Sequence, residues 1–367
     1  MTHSTFHKSS HHSHSLDSFR VLAIMTIFFV HISYINSGLK NEQVLYDTAI
    51  CNIALFAVHF FIVQSAFLVG YIYEKNIAQG YRTYVWKRIK RLYPVNLATL
   101  PFYVVVFVIA GFYSAPIWQM MLDVFLAATL LQELFKFSAT VFNTPAWTIS
   151  TLFILYLITP LLIYPLQRIK KAWMFFLVIA AMTCLDIAFR DWLHNVKPDN
   201  WWLNYTSPVC RIFAYMEGLA LGCAAKSITC PPKLRRYVVT MGEFLVIAAI
   251  AWGISLIKSD PHTSSDMLFC MTPILIAVFF MDEGFLSKTI GNRYLSGMSH
   301  YVYSFYISHY FFLLLTRVVC QKVLGIWGNL TISDGYILTG IIFCMTTIFS
   351  VILYHCVEQR AYVRRST

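Results

Sequence analysis

The sequence predicts an all-α integral membrane protein, a bundle of about ten transmembrane helices. Of its 367 residues, 58% are hydrophobic and only 12% are charged, whereas soluble domains carry about 25% charged residues. Ten apolar stretches are each long enough to cross about 30 Å of hydrocarbon as a helix. These stretches are 17–36, 50–73, 92–113, 147–167, 171–188, 207–224, 236–257, 267–283, 301–320 and 334–357.

The basic residues predict which helix ends face the cytoplasm. The net charge is +11, and its sources cluster in alternate loops, at 75–91, 168–171, 226–236, 288–293 and 360–365. The loops between them are mixed or nearly neutral. Because cytoplasmic loops are enriched in Lys and Arg, this alternation places both termini in the cytoplasm. It also explains the positive charge, and we therefore exclude a nucleic-acid partner.

The chain is expected to form one domain with two short tails. Residues 1–15 are polar and rich in histidine, which predicts a disordered lead-in. Residues 16–359 form the membrane domain, and residues 360–367 form a basic cytoplasmic tail. Nine cysteines are scattered through apolar stretches without a C-x-x-C pair, as expected for small buried hydrophobic residues. We predict no metal site.

One apolar segment, residues 117–135, is predicted not to cross the membrane. If it crossed, every later basic loop would move to the outside, against the charge pattern. The segment also contains Asp123, Gln132 and Glu133, which would be costly facing lipid. We expect a short or re-entrant element on the outer side.

The first apolar stretch carries two ionisable residues at different depths. Arg20 and His31 are eleven residues apart, about 20° beyond three full turns, so they share one helix face about 16 Å apart along the axis. An ionisable group at membrane depth costs about 3 kcal/mol and tends to face the bundle interior. Arginine binds phosphate bidentately, and a neutral imidazole accepts protons near neutral pH. The pair suits a long anionic ligand whose reactive end is remote from its phosphates, such as a coenzyme A thioester.

A second basic motif, KRIKRLYP, precedes the third span. Arg88 and Arg91 are three residues apart and face one way if helical. They offer a second phosphate clamp on the same side as Arg20. Pro94, which follows, is expected to allow a new helix to start.

Polar residues also lie inside later spans. Arg211 and Glu217 are six residues apart, about 120° from one another around a helix. They cannot pair directly, so each needs a partner elsewhere in the bundle. Trp147, at the start of a span, is typical of an interfacial anchor.

The segment YSFYISH contains the second histidine predicted at membrane depth. Tyr303, Tyr306 and His309 follow one another at i, i+3, i+6 spacing and lie near one helix face. An aromatic stripe favours packing. A histidine at that depth indicates a functional group.

Taken in order, these segments resemble the acyltransferase 3 family of integral membrane acyltransferases. The first span has the family's Arg, ten residues, His pattern, and FFIVQSAFLVG, which contains Ser65, resembles its second-span motif. KRIKRLYP, PAWTISTLFILYLITP, RIFAYMEGLALG, YSFYISH and YHCVEQR resemble its later motifs, so the resemblance runs from Leu16 to about Arg365. Two positions depart from the pattern: Ala66 stands where the family usually has Gly, and Leu152 where many members carry Glu.

The resemblance implies a stand-alone, multi-pass protein of the cell (inner) membrane, similar to bacterial sugar O-acetyltransferases. It would move an acetyl group from cytoplasmic acetyl-CoA to a hydroxyl of a cell-surface glycan or lipid-linked sugar. The resemblance does not fix the acceptor, the oligomeric state or whether the group is acetyl or another acyl group. Two alternatives remain open, a transporter or flippase for a lipid-linked sugar and a catalytically decayed relative.

The same resemblance implies roles for individual residues. Arg20, Arg88 and Arg91 would hold the phosphates of the donor. His31 would accept the proton of the acceptor hydroxyl, either in direct transfer or after an acyl-enzyme step. His309, Tyr303 and Tyr306 would orient His31 or stabilise the oxyanion. Further polar contacts to substrate or structure would come from Arg211, Glu217, Tyr303, Trp147 and Ser65.

Overall fold

The protein is predominantly helical in the computed structural model, which describes residues 12–46, 50–77, 80–226 and 232–363. The helices are α1 (His14–Ile32), α2 (Ile50–Ile77), α3 (Tyr81–Ala110), α4 (Ile117–Ala128), α5 (Trp147–Gln167), α6 (Ala172–Val196), α7 (Pro208–Ala225), α8 (Pro232–Ser255), α9 (Pro261–Phe280), α10 (Phe285–Ile290), α11 (Arg293–Gly297), α12 (Val302–Val318), α13 (Ile332–Leu353) and α14 (Gln359–Val363).

The all-α multi-pass prediction is confirmed. Within the described residues, nine helices are long and apolar enough to cross a membrane. The remaining predicted span, 207–224, corresponds to α7, an 18-residue helix. Both of its charged residues, Arg211 and Glu217, are buried, because α7 packs against α2, α5 and α6 and not against lipid.

The segment 117–135 does not form a span, as predicted. Helix α4 has 12 residues, about 18 Å of helix, which is too short for the hydrocarbon core. The polar side chains that would be costly in lipid, Asp123, Gln132 and Glu133, are all buried against protein. The Tyr113 hydroxyl donates to Asp123 Oδ2 at 2.6 Å.

The third span departs from prediction, because its helix does not start at Pro94. Helix α3 is continuous over 30 residues and contains both Pro94 and Pro101. Membrane helices tolerate proline where neighbours satisfy the freed backbone groups. At about 45 Å, α3 exceeds the hydrocarbon thickness, so Arg88 and Arg91 are fixed on helix turns and not on a loop.

The predicted domain boundary at residue 16 falls inside a helix. Helix α1 begins at His14, and the Ser13 side chain accepts from Leu16 N to cap it. Ser15 is fully buried, and its backbone N donates to Asp282 Oδ1 at 3.1 Å. At the other end, α14 extends into the predicted basic tail. Residues 1–11 and 364–367 of the two tails lie outside the described residues.

Small residues bring α2 and α7 into close contact at the centre of the bundle. A Cβ added to Gly218 would lie 2.2 Å from Val63 O and 2.7 Å from the Ala66 Cβ, and one added to Gly222 would lie 2.2 Å from Phe67 O. The helices therefore touch backbone to backbone, as small residues four apart allow. Ala66, which stands where the family usually has Gly, fits between the helices because Gly218 of α7 faces it.

The loops after α1 and α12 are joined by backbone hydrogen bonds. Lys40 N donates to Leu330 O at 2.9 Å, and Leu330 N donates to Gly38 O at 3.1 Å. Near the opposite end of α1, the Ser18 hydroxyl donates to Ile290 O at 2.8 Å. Helix α1 is thus held against the C-terminal part of the chain near both ends.

Candidate active site

The three arginines of the predicted phosphate clamp line one cavity of about 90 Å³. Its walls come from α1, α2, α3, α5 and the start of α12. Predicted site residues lie around it: Arg20, Arg88, Arg91, Ser65, Tyr303 and Tyr306. The sequence motifs, which are spread over almost 290 residues, therefore converge on one space.

Arg20 and Arg88 enter this cavity with few polar partners. Arg20 Nη1 lies 3.5 Å from Asp17 Oδ1, one turn earlier on α1. The Arg88 guanidinium lies over the rings of Tyr84 and Tyr156, at 5.2 and 4.8 Å. Stacking on aromatic faces suits a guanidinium, and it leaves the plane's edge available for a ligand.

Arg91 follows Arg88 on the same face of α3. Both Arg91 and Arg20 lie within electrostatic range of Glu358, which also accepts a hydrogen bond from the Ser304 hydroxyl at 2.8 Å. Three guanidinium groups against two nearby carboxylates leave the cavity positive, so it attracts an anionic ligand.

The two histidines predicted at membrane depth contact each other. His309 Nε2 lies 3.1 Å from His31 Nδ1, and His31 Nδ1 is also 3.0 Å from Ile27 O. On the far side of its ring, His309 Nδ1 lies 2.7 Å from Tyr306 O. Sequence periodicity places residues on faces of one helix, so it did not reveal this contact between α1 and α12.

The carbonyl partners assign the tautomers of both rings. A carbonyl only accepts, so His309 Nδ1 carries a proton and its Nε2 has a lone pair. His31 Nδ1 must then carry a proton, which it shares between Ile27 O and His309. This leaves the lone pair of His31 on Nε2, a position suited to accept a proton from a substrate.

The cavity ends one turn short of His31. Arg20 and Ile27 line it, and His31 follows on the same stripe of α1, four residues beyond Ile27. His31 itself is half-buried and does not line the cavity. On the α12 side the last lining residue is Tyr306, whose ring lies 5.8 Å from that of His309. The histidine pair thus adjoins the end of the cavity that is remote from Arg20.

Two tyrosine hydroxyls predicted to serve the reaction are already engaged. Tyr306 Oη donates to Pro145 O, and Tyr303 Oη donates to Leu92 O, both at 2.5 Å. Each hydroxyl proton is therefore used on the backbone, and neither is free to donate to an oxyanion in this arrangement. The tyrosines fix α12 against the chain before α5 and against α3.

Arg211, Glu217 and Trp147 lie away from this cavity. Arg211 Nε donates to Tyr205 O at 2.7 Å, and its guanidinium faces the Trp147 ring at 5.7 Å. Glu217 accepts a hydrogen bond from the Thr183 hydroxyl at 2.6 Å. Each charged residue of α7 has found its partner on another element, as predicted.

Sequence reasoning missed several buried polar residues on α2. His59 Nε2 lies 3.6 Å from Glu217 Oε2, and the His59 ring stacks on Phe269 at 4.3 Å. Gln64 lines the arginine cavity and donates to Leu16 O at 3.3 Å. The signal was available, since both are polar residues inside a long apolar stretch.

One part of the cavity wall, on α5, is apolar. Leu152 lines it together with Ile149, one turn or less away on α5. The cavity therefore has a charged end formed by arginines and an apolar side formed by α5.

Comparison with protein families agrees with the motifs. A family model described as an acyltransferase domain matches residues 13–355, nearly the whole chain. A search of curated proteins and a search of solved structures found no match. The match includes both histidines and all three cavity arginines, and the chain therefore belongs to the acyltransferase 3 family of membrane acyltransferases.

Proposed function

We propose that the protein is an O-acetyltransferase that uses acetyl-CoA from the cytoplasm and acetylates a hydroxyl of a cell-surface glycan or lipid-linked sugar. One observation carries the proposal: the cavity has three arginines at one end and adjoins a histidine pair at the other. A phosphate-bearing donor with a remote thioester matches that separation.

The arginines would bind the phosphates of the donor. Arg20 lies about 16 Å along the axis from His31, so a molecule anchored at Arg20 must be extended to place its thioester near the imidazole. Charge-assisted bidentate hydrogen bonds suit phosphate recognition. The apolar wall formed by Ile149 and Leu152 would exclude water from the acyl arm.

His31 would act as the general base. Its Nε2 takes the proton of the acceptor hydroxyl as the hydroxyl oxygen attacks the thioester carbonyl carbon. The carbon–sulfur bond then breaks, and the proton passes to the departing thiolate, giving an acetyl ester and the free thiol. The His309 lone pair would stabilise the protonated His31 ring through Nδ1–H, much as a carboxylate does in a hydrolase triad.

The test uses purified protein in lipid nanodiscs with acetyl-labelled acetyl-CoA. We expect the label to move to a glycan acceptor and His31→Ala to abolish the transfer while the protein stays folded by circular dichroism. General-base catalysis contributes about 10²–10⁴-fold, so retained turnover in folded His31→Ala would remove His31 from this role. A transporter or a decayed relative would leave the label on coenzyme A.

A further inference from the structure

A second and larger cavity opens at the end of the bundle opposite to the three arginines. Its volume is about 420 Å³. It lies where α6 ends and where α7 and α9 begin, whereas the arginine cavity lies where α1 and α3 begin. Because α4 does not cross, α1 and α3 are the first and third of the long helices, whereas α7 and α9 are the sixth and eighth. Consecutive long helices alternate in direction, so the two cavities open at opposite ends of the bundle. We call this space the polar cleft, and its charged and aromatic lining residues include Arg190, Arg211, His262, Asp191, Asp266 and Tyr205.

Every carboxylate around the polar cleft already has a cationic or imidazole partner. Arg190 lies 3.0 Å from Asp186 Oδ2 and 3.4 Å from Asp266 Oδ1. His262 lies between Asp191 Oδ1 and Asp266 Oδ2, at 3.0 and 3.3 Å. The ligating atoms of Asp191, His262 and Asp266 come within 4.8 Å of one another, but these pairings already engage them, and we assign no metal ion there.

Arg211 is the cationic lining residue that takes part in none of these ion pairs. The side chain is 2% exposed, lines the cleft, and donates only Nε, to Tyr205 O, among the residues that the structure describes. A guanidinium has five N–H donors. No carboxylate of the described chain forms an ion pair with it within 4.0 Å; the nearby Asp186, which is within electrostatic range, pairs with Arg190. A buried guanidinium whose remaining donors have no carboxylate to bond is costly, so this geometry points to an anionic ligand.

The lining of the cleft also includes a residue with an unpaired acceptor and two aromatic rings. The Asn204 side chain donates Nδ2 to Lys197 O at 2.7 Å, while its Oδ1 is buried without a hydrogen-bond partner in the described structure. Asn204 lines the cleft together with the rings of Tyr205 and Phe269. An amide oxygen accepts from a hydroxyl, and aromatic faces pack against the apolar face of a sugar ring. A ligand that satisfies both Arg211 and Asn204 carries an anion and a hydroxyl.

The cleft shares a wall with the histidine pair. The Arg211 guanidinium faces Trp147 at 5.7 Å, and Pro145, two residues before Trp147, accepts the hydroxyl of Tyr306. Tyr306 in turn contacts His309. Trp147, Tyr306 and His309 therefore form a continuous series of contacts from Arg211 to His31, the proposed catalytic base.

We propose that the polar cleft binds the acceptor, and that the acceptor is an anionic sugar with a carboxylate or phosphate on Arg211 and a hydroxyl on Asn204. That the ligand is the acetyl acceptor rests on the proposed function. That the cleft binds an anionic sugar is tested without acetyl-CoA, so a protein that lacks transferase activity leaves the binding result standing.

Titration calorimetry on the full chain in phosphatidylcholine nanodiscs provides the test, with trigalacturonate and galactose 1-phosphate as anionic probes and maltotriose as the neutral one. We expect at least one anionic probe to bind saturably and maltotriose at least tenfold more weakly. Arg211→Gln should weaken the anionic probe at least tenfold. Because Arg211 is buried, a second variant is needed that leaves its hydrogen bond to Tyr205 O in place. Ser265→Phe fills the cleft from α9, and it should produce the same loss.

Thr263→Phe is the matched control, because Thr263 is exposed on the same helix and does not line the cleft. It should change affinity less than twofold. Equal binding of charged and neutral probes, no binding of either anionic probe, or unchanged binding in both Arg211→Gln and Ser265→Phe would overturn the proposal. So would loss of sugar binding when phosphatidylglycerol is added to the discs, because the cleft would then be a lipid headgroup site.

Discussion

His309 Nε2 accepts the Nδ1 proton of His31 across 3.1 Å, which joins the first membrane helix to the twelfth helix of the fold. The bond leaves the other nitrogen of His31 facing away from His309 as the only lone pair of that ring. A change at His309 should therefore act on catalysis through His31 and not through donor binding.

The first prediction concerns His309→Phe and His309→Gln. Phe removes the acceptor of the His31 Nδ1 proton, whereas the Gln side-chain oxygen can replace it. We expect kcat to fall about a hundredfold in His309→Phe and considerably less in His309→Gln. The KM for acetyl-CoA should stay near the wild-type value in both, because His309 is remote from the arginines. Equal kcat values for Phe, Gln and wild type would contradict a positioning role.

The second prediction tests the phosphate clamp. Replacing Arg20, Arg88 or Arg91 by Gln should raise the KM for acetyl-CoA about 10–100-fold, since a hydrogen bond to a charged group contributes about 1.5–3 kcal/mol. The measurement is repeated with acetyl-3′-dephospho-CoA. For the arginine that binds the 3′-phosphate, the Gln variant and the wild type should have similar KM values with this analogue, because the analogue lacks that phosphate.

Arg168→Gln is the control for loss of a positive charge. Arg168 is exposed, bonds to the Tyr164 hydroxyl and follows the end of α5, outside the cavity. Its KM for acetyl-CoA should stay within twofold of wild type. A rise as large as that of the cavity variants would mean that general surface charge, and not the cavity, binds the donor.

The third prediction concerns the contact between α2 and α7. Gly218→Val would place a Cβ 2.2 Å from Val63 O, so we expect a loss of about 3 kcal/mol in stability, measured as a lower melting temperature in detergent. Gly340→Val is the matched control, because no atom lies within 4 Å of a Cβ added there. Equal melting temperatures would show that the helices separate easily.

The fourth prediction is a dependence of stability on pH at Glu133. This carboxyl is fully buried, neither oxygen has a hydrogen-bond partner among the described residues, and burial raises its pKa to about 8, partly offset by Thr206. Because the folded pKa lies above the unfolded one, the folded state holds a proton that the unfolded state releases between about pH 4.5 and 8. Stability is therefore highest below that window and falls as pH rises through it.

Glu133→Gln should remove this dependence. Gln keeps the shape but does not ionise, so the melting temperature of wild type should fall relative to that of Glu133→Gln as pH rises to about 8 and then level off. Parallel curves for the two proteins would show that Glu133 does not bind the extra proton in the folded state.

The sequence was most informative where one helix carries the pattern. The spacing of Arg20 and His31 predicts one stripe, and the structure places Arg20, Ile27 and His31 along it. The separation of Arg211 from Glu217 around a single helix also predicted correctly that each would find a partner on another element. Such inferences need only the helical repeat, which is the same in every context.

Features that combine distant segments were not accessible in this way. The contact of His31 with His309 spans 278 residues, and the polar cleft draws its residues from α6, α7, α9 and the turn before α7. Helix α3 also continues through Pro94, which membrane helices permit where the surrounding bundle satisfies the freed backbone groups. Tertiary packing determines each of these three features, and the periodicity of a single helix carries no information about tertiary packing.

The backbone bonds between Lys40, Leu330 and Gly38 bear on how the protein works as a whole. A carrier that exposes one site alternately to each side must let part of its bundle rock against the rest. Here α1 is tied to the loop beyond α12 and, near its other end, to Ile290. The two helices that bring the histidines together, α1 and α12, would thus keep their relative position during turnover. We expect the donor and acceptor to move while these helices stay fixed.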